Sequence, residues 1–124
     1  RIYAENGSKV HRQLFGNTIR HLHKNLLIQT KGLPSSGRIT LLHQENKNRY
    51  VIHLLYAPPL QRGRCLVIED VPEIHGVELN INLNKKIKKA YFINLEKEIK
   101  IKDGKYIQIK VDKFQIHEAL VLEY

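Results

Sequence analysis

The sequence contains no methionine and no tryptophan, and Cys65 is its only cysteine. A single cysteine excludes a disulfide within the chain, and it also excludes zinc sites built from paired CxxC motifs. No apolar run approaches the roughly 18 residues of a membrane-spanning helix, and no signal-peptide pattern opens the chain. The sequence also lacks a glycine-rich phosphate loop and a GxSxG nucleophile motif. These absences exclude several common kinds of enzyme site.

The overall composition is that of a globular domain. Hydrophobic residues make up 42% of the 124 residues and charged residues 27%, which argues against disorder. Because the chain begins with Arg1 and has no methionine, we expect it to be a fragment of a longer protein. Its formal net charge of +9 can indicate an acidic partner such as nucleic acid or lipid. The lysine, isoleucine and asparagine bias of an AT-rich genome would produce the same charge.

A helix is predicted at the N-terminus. Apolar residues recur at helical spacing from Lys9 to about Asn25, with Ser8 as the N-cap. The members of this stripe are Val10, Leu14, Ile19, Leu22 and Leu26. Gly16 and Asn17 weaken the middle of the helix by up to about 1 kcal/mol each relative to alanine. We therefore expect tertiary packing to hold it.

The remainder of the chain shows the pattern of short strands. The candidate strands are 38–44, 49–56, 64–70, 77–83, 87–95, 98–111, which holds two strands, and 114–124. The first two flank a four-residue loop and are expected to form a hairpin. Asp103-Gly104 is the favoured pair for a tight turn and is expected to join the two strands of 98–111. The sequence thus predicts a mainly β fold, an antiparallel β-sandwich of about seven strands with one N-terminal α-helix.

His53 lies in the middle of an apolar strand, which raises the question of a functional role. It shares one side of the strand with Val51 and Leu55, whereas Ile52 and Leu54 face the other way. Apolar residues on both sides predict an interior strand, or one covered by a neighbouring domain. We expect the role of His53 to be structural first, either bonded to a backbone carbonyl or bordering an interface.

Residue spacing gives little support to other chemistry. His21 and His23 are two residues apart and so point to different sides of a helix, which does not suit a metal site. Cys65 opens an apolar run and is expected to be a small buried residue rather than a nucleophile. The carboxylates of 69–73 lie along one turn, whereas glycosidase carboxylates face each other across a cleft. We therefore predict no catalytic residue, no metal site and no cofactor.

Two binding functions stay open as alternatives. The lysine-rich segment 85–113 could contact nucleic acid, but Lys100, Lys102 and Lys110 occupy outward positions, where lysine also prevents sheet association. Nucleic-acid binding is therefore the less favoured alternative. A carbohydrate-binding module would need a platform of exposed aromatic rings. The residues that could supply it, if the fold gathers them, are Tyr50, Tyr56, Tyr91 and Tyr106.

Two segments carry a resemblance to a known family. HRQLFGNTIRHL (11–22) and LPSSGRITLLHQENKNRYVIHLLYAPPLQRGR (33–64) resemble the C-terminal region of large bacterial glycoside hydrolases related to beta-galactosidases and alpha-L-fucosidase-like proteins. FQIHEALVLEY (114–124) resembles the last strand of that region. In that family a catalytic (β/α) barrel is followed by a flavodoxin-like trimerisation domain and then by a small β-sandwich. The resemblance implies that residues 1–26 end an upstream trimerisation domain and that 27–124 form the C-terminal β-sandwich.

The resemblance also implies a non-catalytic accessory domain of a bacterial glycoside hydrolase. The domain is expected to be non-catalytic because the family's catalytic carboxylates lie in the barrel. Its role would be to pack against the catalytic and trimerisation domains and to stabilise them. His53, Tyr56, Arg62 and Arg64 match recurrent positions, and we expect them to contact the neighbouring domain or a ligand. The expected partners are those upstream domains or, in the alternative, carbohydrate, and not a membrane. Without its parent the chain would expose an apolar patch through which it can self-associate. The compartment, bacterial cytoplasm or periplasm, stays open.

Overall fold

The computed structural model describes residues 7–101 and 106–124, which hold one α-helix, ten strands and a short 3-10 turn at Glu45–Lys47. The helix is α1 (Lys9–Leu22). The strands are β1 (Ile28–Lys31), β2 (Arg38–Gln44), β3 (Arg49–Tyr56), β4 (Leu60–Arg62), β5 (Cys65–Val67), β6 (Ile74–Ile81), β7 (Lys89–Phe92), β8 (Lys97–Ile99), β9 (Ile107–Phe114) and β10 (Ile116–Glu123). The mainly β fold with one N-terminal helix is as predicted.

The strands form two antiparallel sheets and a small ribbon. The first sheet has the order β1-β6-β9, the second has the order β2-β3-β10-β7-β8, and β4 pairs with β5 in the ribbon. Ten strands replace the predicted count of about seven. The sequence does not predict β1 or β4, because four and three residues are too few to show a period of two.

One hydrophobic core fills the space between the two sheets. Every second residue of β6 points into it, so that Val77, Leu79 and Ile81 are fully buried. The fully buried aliphatic side chains that the five-stranded sheet contributes to this core are Ile52, Leu54, Ala90, Leu120 and Leu122. Each such valine, leucine or isoleucine side chain stabilises the fold by roughly 1.5–3 kcal/mol. The alternation in 77–83 therefore reflects, as predicted, apolar residues that face the core and polar residues that face away from it.

The β2–β3 hairpin matches its prediction. Arg38 lies opposite Leu55 and Gln44 opposite Arg49, so the paired strands have the predicted bounds. The loop contains the 3-10 turn and ends at Asn48, whose φ of 49° is left-handed. Asparagine tolerates that conformation better than most residues, which explains why the hairpin turns there.

The predicted hairpin in 98–111 is wrong. β8 pairs with β7 in the five-stranded sheet, whereas β9 pairs with β6 in the three-stranded sheet. Both strands alternate because each presents one face to the shared core, and alternation does not specify the sheet to which a strand belongs. Lys97 on β8 donates to Asp112 on β9 at 2.6 Å, and this ion pair links the two sheets. The predicted Asp103-Gly104 turn lies outside the described residues.

α1 is shorter than predicted and lies on the surface. It ends at Leu22, where the backbone N–H of His23 donates to the carbonyl of Ile19 at 2.8 Å. Ser8 is the N-cap, as predicted, although its side chain makes no capping hydrogen bond. None of the helical residues is buried. The described residues therefore do not supply the packing that the sequence leads us to expect for this helix.

Glu118 on β10 is the buried charged side chain among the described residues, at 1% exposure. Its carboxylate accepts hydrogen bonds from three backbone N–H groups, those of Asn94 (2.9 Å), Leu95 (3.2 Å) and Ala119 (2.8 Å). Asn94 and Leu95 lie in the turn between β7 and β8. Glu118 thus fixes that turn to the central strand of the five-stranded sheet.

We expect Glu118→Gln to lower the free energy of unfolding by about 1–3 kcal/mol. The amide keeps one acceptor oxygen but places an NH₂ group against a buried backbone donor. Urea denaturation followed by circular dichroism measures the change. Glu98→Gln on exposed β8 is the matched control, with an expected change within about 0.5 kcal/mol. Equal effects of the two substitutions would contradict this role of Glu118.

The hydrogen bond from Lys97, with the charges of Lys97 and Lys110, lowers the pKa of Asp112 below its ordinary value. We expect Lys97→Met to raise that pKa, and Lys110→Met to raise it less, in carboxyl NMR titrations. Because the folded pKa lies below the unfolded one, ionised Asp112 adds stability above the unfolded pKa. That stability is lost as the pH falls through the folded pKa. An unchanged pKa in Lys97→Met would disprove the cross-sheet ion pair.

Candidate functional site

The structure places the four residues singled out by the sequence in separate positions. His53 lies on the outer face of the five-stranded sheet, whereas Tyr56 lies on the inner face and packs against the core. Arg62 lies in β4 and Arg64 in the turn between β4 and β5, and both are exposed. Arg62 also forms an ion pair with Glu69 at 3.6 Å. Their contact with a neighbouring domain or a ligand stays a prediction.

His53 pairs with a second histidine, His117 of β10. Nδ1 of His53 lies 3.0 Å from Nε2 of His117, and the rings stack with centroids 5.2 Å apart. Ala119 is opposite His53 and His117 is opposite Leu55, so the two histidines are diagonal neighbours across adjacent strands. β3 is an interior strand, as predicted, but the partner of His53 is a side chain rather than a backbone carbonyl.

The residue before His117 has a strained backbone. Ile116 has a φ of 63°, and the N–H of His117 donates to the carbonyl of Gln115 at 2.7 Å, which closes a γ-turn around Ile116. A β-branched residue in this region costs roughly 1–3 kcal/mol. Ile116 is nevertheless 48% exposed, so its side chain gains little from burial. Strain of this kind is typical of binding surfaces, and here it fixes the point at which β10 and His117 enter the sheet.

α1 presents an uncovered apolar surface, which we call the α1 stripe. Its residues are between 50% and 78% exposed: Val10, Leu14, Phe15, Ile19 and Leu22. On the ribbon and the segment after it, Leu60, Leu66 and Ile68 are also exposed. A group of exposed apolar side chains on one helix of a folded domain marks a surface that contacts another macromolecule. The sequence periodicity predicts Val10, Leu14, Ile19 and Leu22 as members of this stripe, but it predicts neither Phe15 nor the absence of a cover. Leu26, the fifth residue of the predicted stripe, lies beyond the end of α1.

A groove of about 730 Å³ lies beside α1, and we call it the α1 groove. Its lining residues come from α1, the turn before β2, the end of β3 and the segment after β5: Arg12, Ser35, Ser36, Gly37, Arg38, Leu55, Ala57, Pro58, Pro59 and Ile68. Nη2 of Arg12 donates to the carbonyl of Ser35 at 2.5 Å and holds α1 against this turn. No acidic residue is among the residues that line the groove.

The other candidate residues do not assemble into a reactive centre. Cys65 is exposed on the ribbon, which corrects the expectation that it is buried, because a two-stranded ribbon has no layer above it. Glu73 lies 3.1 Å from His75 and 3.1 Å from Lys113, and Glu69 pairs with Arg62, so these two carboxylates are engaged in surface contacts. Over 7–101 and 106–124, no three His, Cys, Asp or Glu side chains are placed to hold a metal ion. The same residues contain no helix long and apolar enough to cross a membrane.

The tyrosines within residues 7–101 and 106–124 do not form a flat exposed platform. Tyr50 stacks on His43 with ring centroids 4.3 Å apart, and the His43 ring also bonds to the hydroxyl of Tyr124 at 2.9 Å. Tyr50, Tyr56 and Tyr124 pack against the main core, and Tyr91 packs against outer-face residues of the five-stranded sheet. Tyr106 precedes β9 and is exposed. This arrangement gives the carbohydrate-binding alternative no assembled stacking surface.

The lysines of 85–113 are interspersed with acidic and aromatic groups. Lys97 pairs with Asp112, Lys113 pairs with Glu73 at 3.1 Å, and Lys110 lies opposite Glu78 in the β6–β9 ladder. Lys85 and Lys89 lie over tyrosine rings, at 5.3 and 5.4 Å from the ring centroids. Lys102 is outside the described residues. Such neighbours reduce the positive potential that a nucleic acid would meet.

The fold as a whole is similar to part of a glycoside hydrolase. The solved structure of alpha-L-fucosidase isoenzyme 2 from Paenibacillus thiaminolyticus superposes with a TM-score of 0.89 at 33% sequence identity. The match covers 98% of this chain but 19% of that chain, so the protein described here spans about a fifth of the fucosidase. No protein-family model matches the chain, and no curated protein matches it. The predicted relationship to glycoside hydrolases is thereby supported, as a domain-sized part of such an enzyme.

Sequence reasoning misses two features of this surface. His117 has the same outward orientation as His53, but that becomes apparent only when β10 is paired with β3. Arg12 and Arg38 are 26 positions apart, and only the packing of α1 beside β2 places both in one groove. If the pairing of β10 with β3 had been predicted, the proximity of His53 and His117 would have followed. No local pattern would have linked the two arginines.

We expect Ile116→Gly to leave stability unchanged or to raise it by up to about 1 kcal/mol, because glycine adopts positive φ without strain. Ile93→Gly is the matched control, since Ile93 is 49% exposed and has no positive φ. It should destabilise the protein by about 0.5–1 kcal/mol or more. Thermal denaturation of both variants gives the comparison. Destabilisation of the same size at both positions would show that the Ile116 turn is unstrained.

Proposed function

We propose that the chain is a non-catalytic accessory domain of a bacterial glycoside hydrolase. Residues 27–124 form its C-terminal β-sandwich, and residues 1–26 end an upstream trimerisation domain. The sandwich packs against the catalytic and trimerisation domains and stabilises them. The observation that carries the proposal is the match of nearly the whole chain to 19% of an alpha-L-fucosidase.

The exposed α1 stripe supports the same proposal. A 14-residue helix is marginal in water without packing, and here none of its residues is buried. Five large apolar side chains on its surface would each gain roughly 1.5–3 kcal/mol if a neighbouring domain covered them fully. In this proposal, the rest of the parent enzyme therefore supplies the surface that covers α1.

The chemistry at the surface agrees with a structural role. The rings of His53 and His117 bond to each other, and among residues 7–101 and 106–124 neither lies at ion-pair distance from a carboxylate. Glu118, the buried carboxylate, is fully engaged by backbone donors in a turn. In this proposal the reaction belongs to another part of the parent chain.

The size of the native protein is the first test. An antibody raised against the 124 residues should detect, in extracts of the source cells, a protein several-fold larger than 14.5 kDa. A native band at 14.5 kDa would overturn the proposal, and ligand or nucleic-acid binding by a free-standing domain would then become the leading function.

A second test uses charge in the α1 stripe. The variant Phe15→Glu/Leu22→Glu should keep the melting temperature of the isolated chain, because neither side chain is buried. It should lose at least about ten-fold in affinity, or 1.4 kcal/mol, for the separately expressed upstream polypeptide. Calorimetric titration measures the affinity. Because the wild-type chain binds the folded upstream polypeptide, its binding should also stabilise that polypeptide against unfolding.

The matched control is Gln13→Glu/Asn17→Glu, which adds the same two charges on the side of α1 turned away from Phe15 and Leu22. We expect this control to bind as the wild-type chain does. If the two double variants bind equally well, or if the wild-type chain does not bind at all, the proposed packing through α1 is wrong.

A further inference from the structure

We propose that the α1 groove binds a polypeptide segment in which a carboxylate is flanked by apolar side chains, with Arg12 and Arg38 holding the carboxylate. The inference rests on the proposed function, because it specifies the chemistry of the segment that the neighbouring domain supplies. It names a ligand class and two recognition residues that the comparison with the fucosidase does not provide.

The charges of the groove point to an anionic group. Arg12 reaches it from α1 and Arg38 from the start of β2, so two guanidinium groups from different elements line one cavity. Within the described residues, neither arginine has a carboxylate at ion-pair distance. Arg12 uses one nitrogen for the carbonyl of Ser35, and its other N–H groups can donate to a ligand. Planar guanidinium groups bind carboxylates through paired hydrogen bonds, which makes a carboxylate the natural occupant.

Ser35, Ser36 and Gly37 form the wall of the groove on the side of the turn before β2, and the opposite side is apolar. Leu55 and Ile68 are 39% and 60% exposed, and Ala57, Pro58 and Pro59 complete the floor. The prolines end β3 and cannot offer a backbone N–H, so this part of the floor favours hydrocarbon over hydrogen-bonding groups. A volume of about 730 Å³ accommodates several side chains of a segment rather than a single ion.

These features favour a polypeptide over an acidic sugar. No aromatic ring lines the groove, whereas sugar rings generally stack on aromatic side chains. Arg12 belongs to α1, so the groove is continuous with the helix whose stripe is left uncovered. A neighbouring polypeptide that covers the α1 stripe would pass this groove. It would find there an apolar side and two guanidinium groups that have no carboxylate partner among residues 7–101 and 106–124.

The test is an NMR titration of the ¹⁵N-labelled 124-residue chain with a blocked nine-residue peptide that carries leucine-glutamate-leucine at its centre. We expect saturable shifts at the backbone amides of Leu55, Ala57 and Ile68 and at the Nε–H groups of Arg12 and Arg38. The same peptide with glutamine in place of glutamate should bind at least about ten-fold more weakly. Raising the salt concentration should weaken the glutamate peptide further, because its ion pairs are screened.

Three variants give the control. Arg12→Gln and Arg38→Gln should each weaken binding of the glutamate peptide by about ten-fold. Arg20→Gln should leave it unchanged, because Arg20 lies on the same helix, bonds to Asn17 and does not line the groove. All three side chains are exposed, so the variants should fold normally. Equal binding of the two peptides, equal effects of the three variants, or no saturable shift would overturn the proposal. An oligogalacturonate that shifts these residues when the peptide does not would assign the groove to acidic sugars instead.

The two proposals can fail separately. If the glutamate peptide binds but the upstream polypeptide does not associate, the groove is a peptide site and the accessory role is wrong. If the upstream polypeptide associates with wild-type affinity in Arg12→Gln and Arg38→Gln and the peptide does not bind, the accessory role stands and the groove proposal is wrong.

Discussion

The pairing of β10 with β3 is the interaction on which the rest of the domain depends. It runs from Ile116 opposite Tyr56 to Glu123 opposite Arg49 and joins the last strand to the first hairpin. On the inner side it places Leu120 and Leu122 in the core. On the outer side it brings His117 to His53. The same strand pairs with β7 and, through Glu118, holds the turn that follows β7. One strand, β10, therefore positions the core leucines, the histidine pair on the outer face and the turn after β7.

Local patterns were sufficient to predict the longer strands. β2, β3, β6 and β10 each span seven or eight residues, and each lies where the sequence indicates a strand. β6 was recognised by its alternation, and β3 by a run of residues that is apolar on both sides. The partners of strands are a different matter, because pairing depends on distant residues. This is why β8 and β9 resemble a hairpin in sequence but belong to different sheets. The short strands β1 and β4 lie below the length at which a period can be recognised.

The candidate surface was predictable only in part. The α1 stripe follows from helical spacing, and the position of His53 on an interior strand follows from its apolar neighbours. The exposure of the α1 stripe and the α1 groove depend on how α1, the turn before β2 and the end of β3 meet in space. The histidine pair depends on the pairing of β10 with β3. Arg62 and Arg64 were singled out by resemblance, and they lie on the ribbon rather than beside His53. Arg12 and Arg38, on which the proposal for the α1 groove rests, carry no sequence motif.

The place of β10 between β3 and β7 also governs the order in which the domain can form. The β2–β3 hairpin and the β7–β8 hairpin are local and can fold early, because their strands are close in the chain. Until β10 is synthesised and inserts between them, each hairpin exposes an unpaired edge and an uncovered apolar face. The contact between His53 and His117 spans 64 residues, so closure of the sheet requires a long loop to form. During synthesis the nascent domain therefore passes through a stage that favours association with other chains, and this stage ends only when the central strand is inserted.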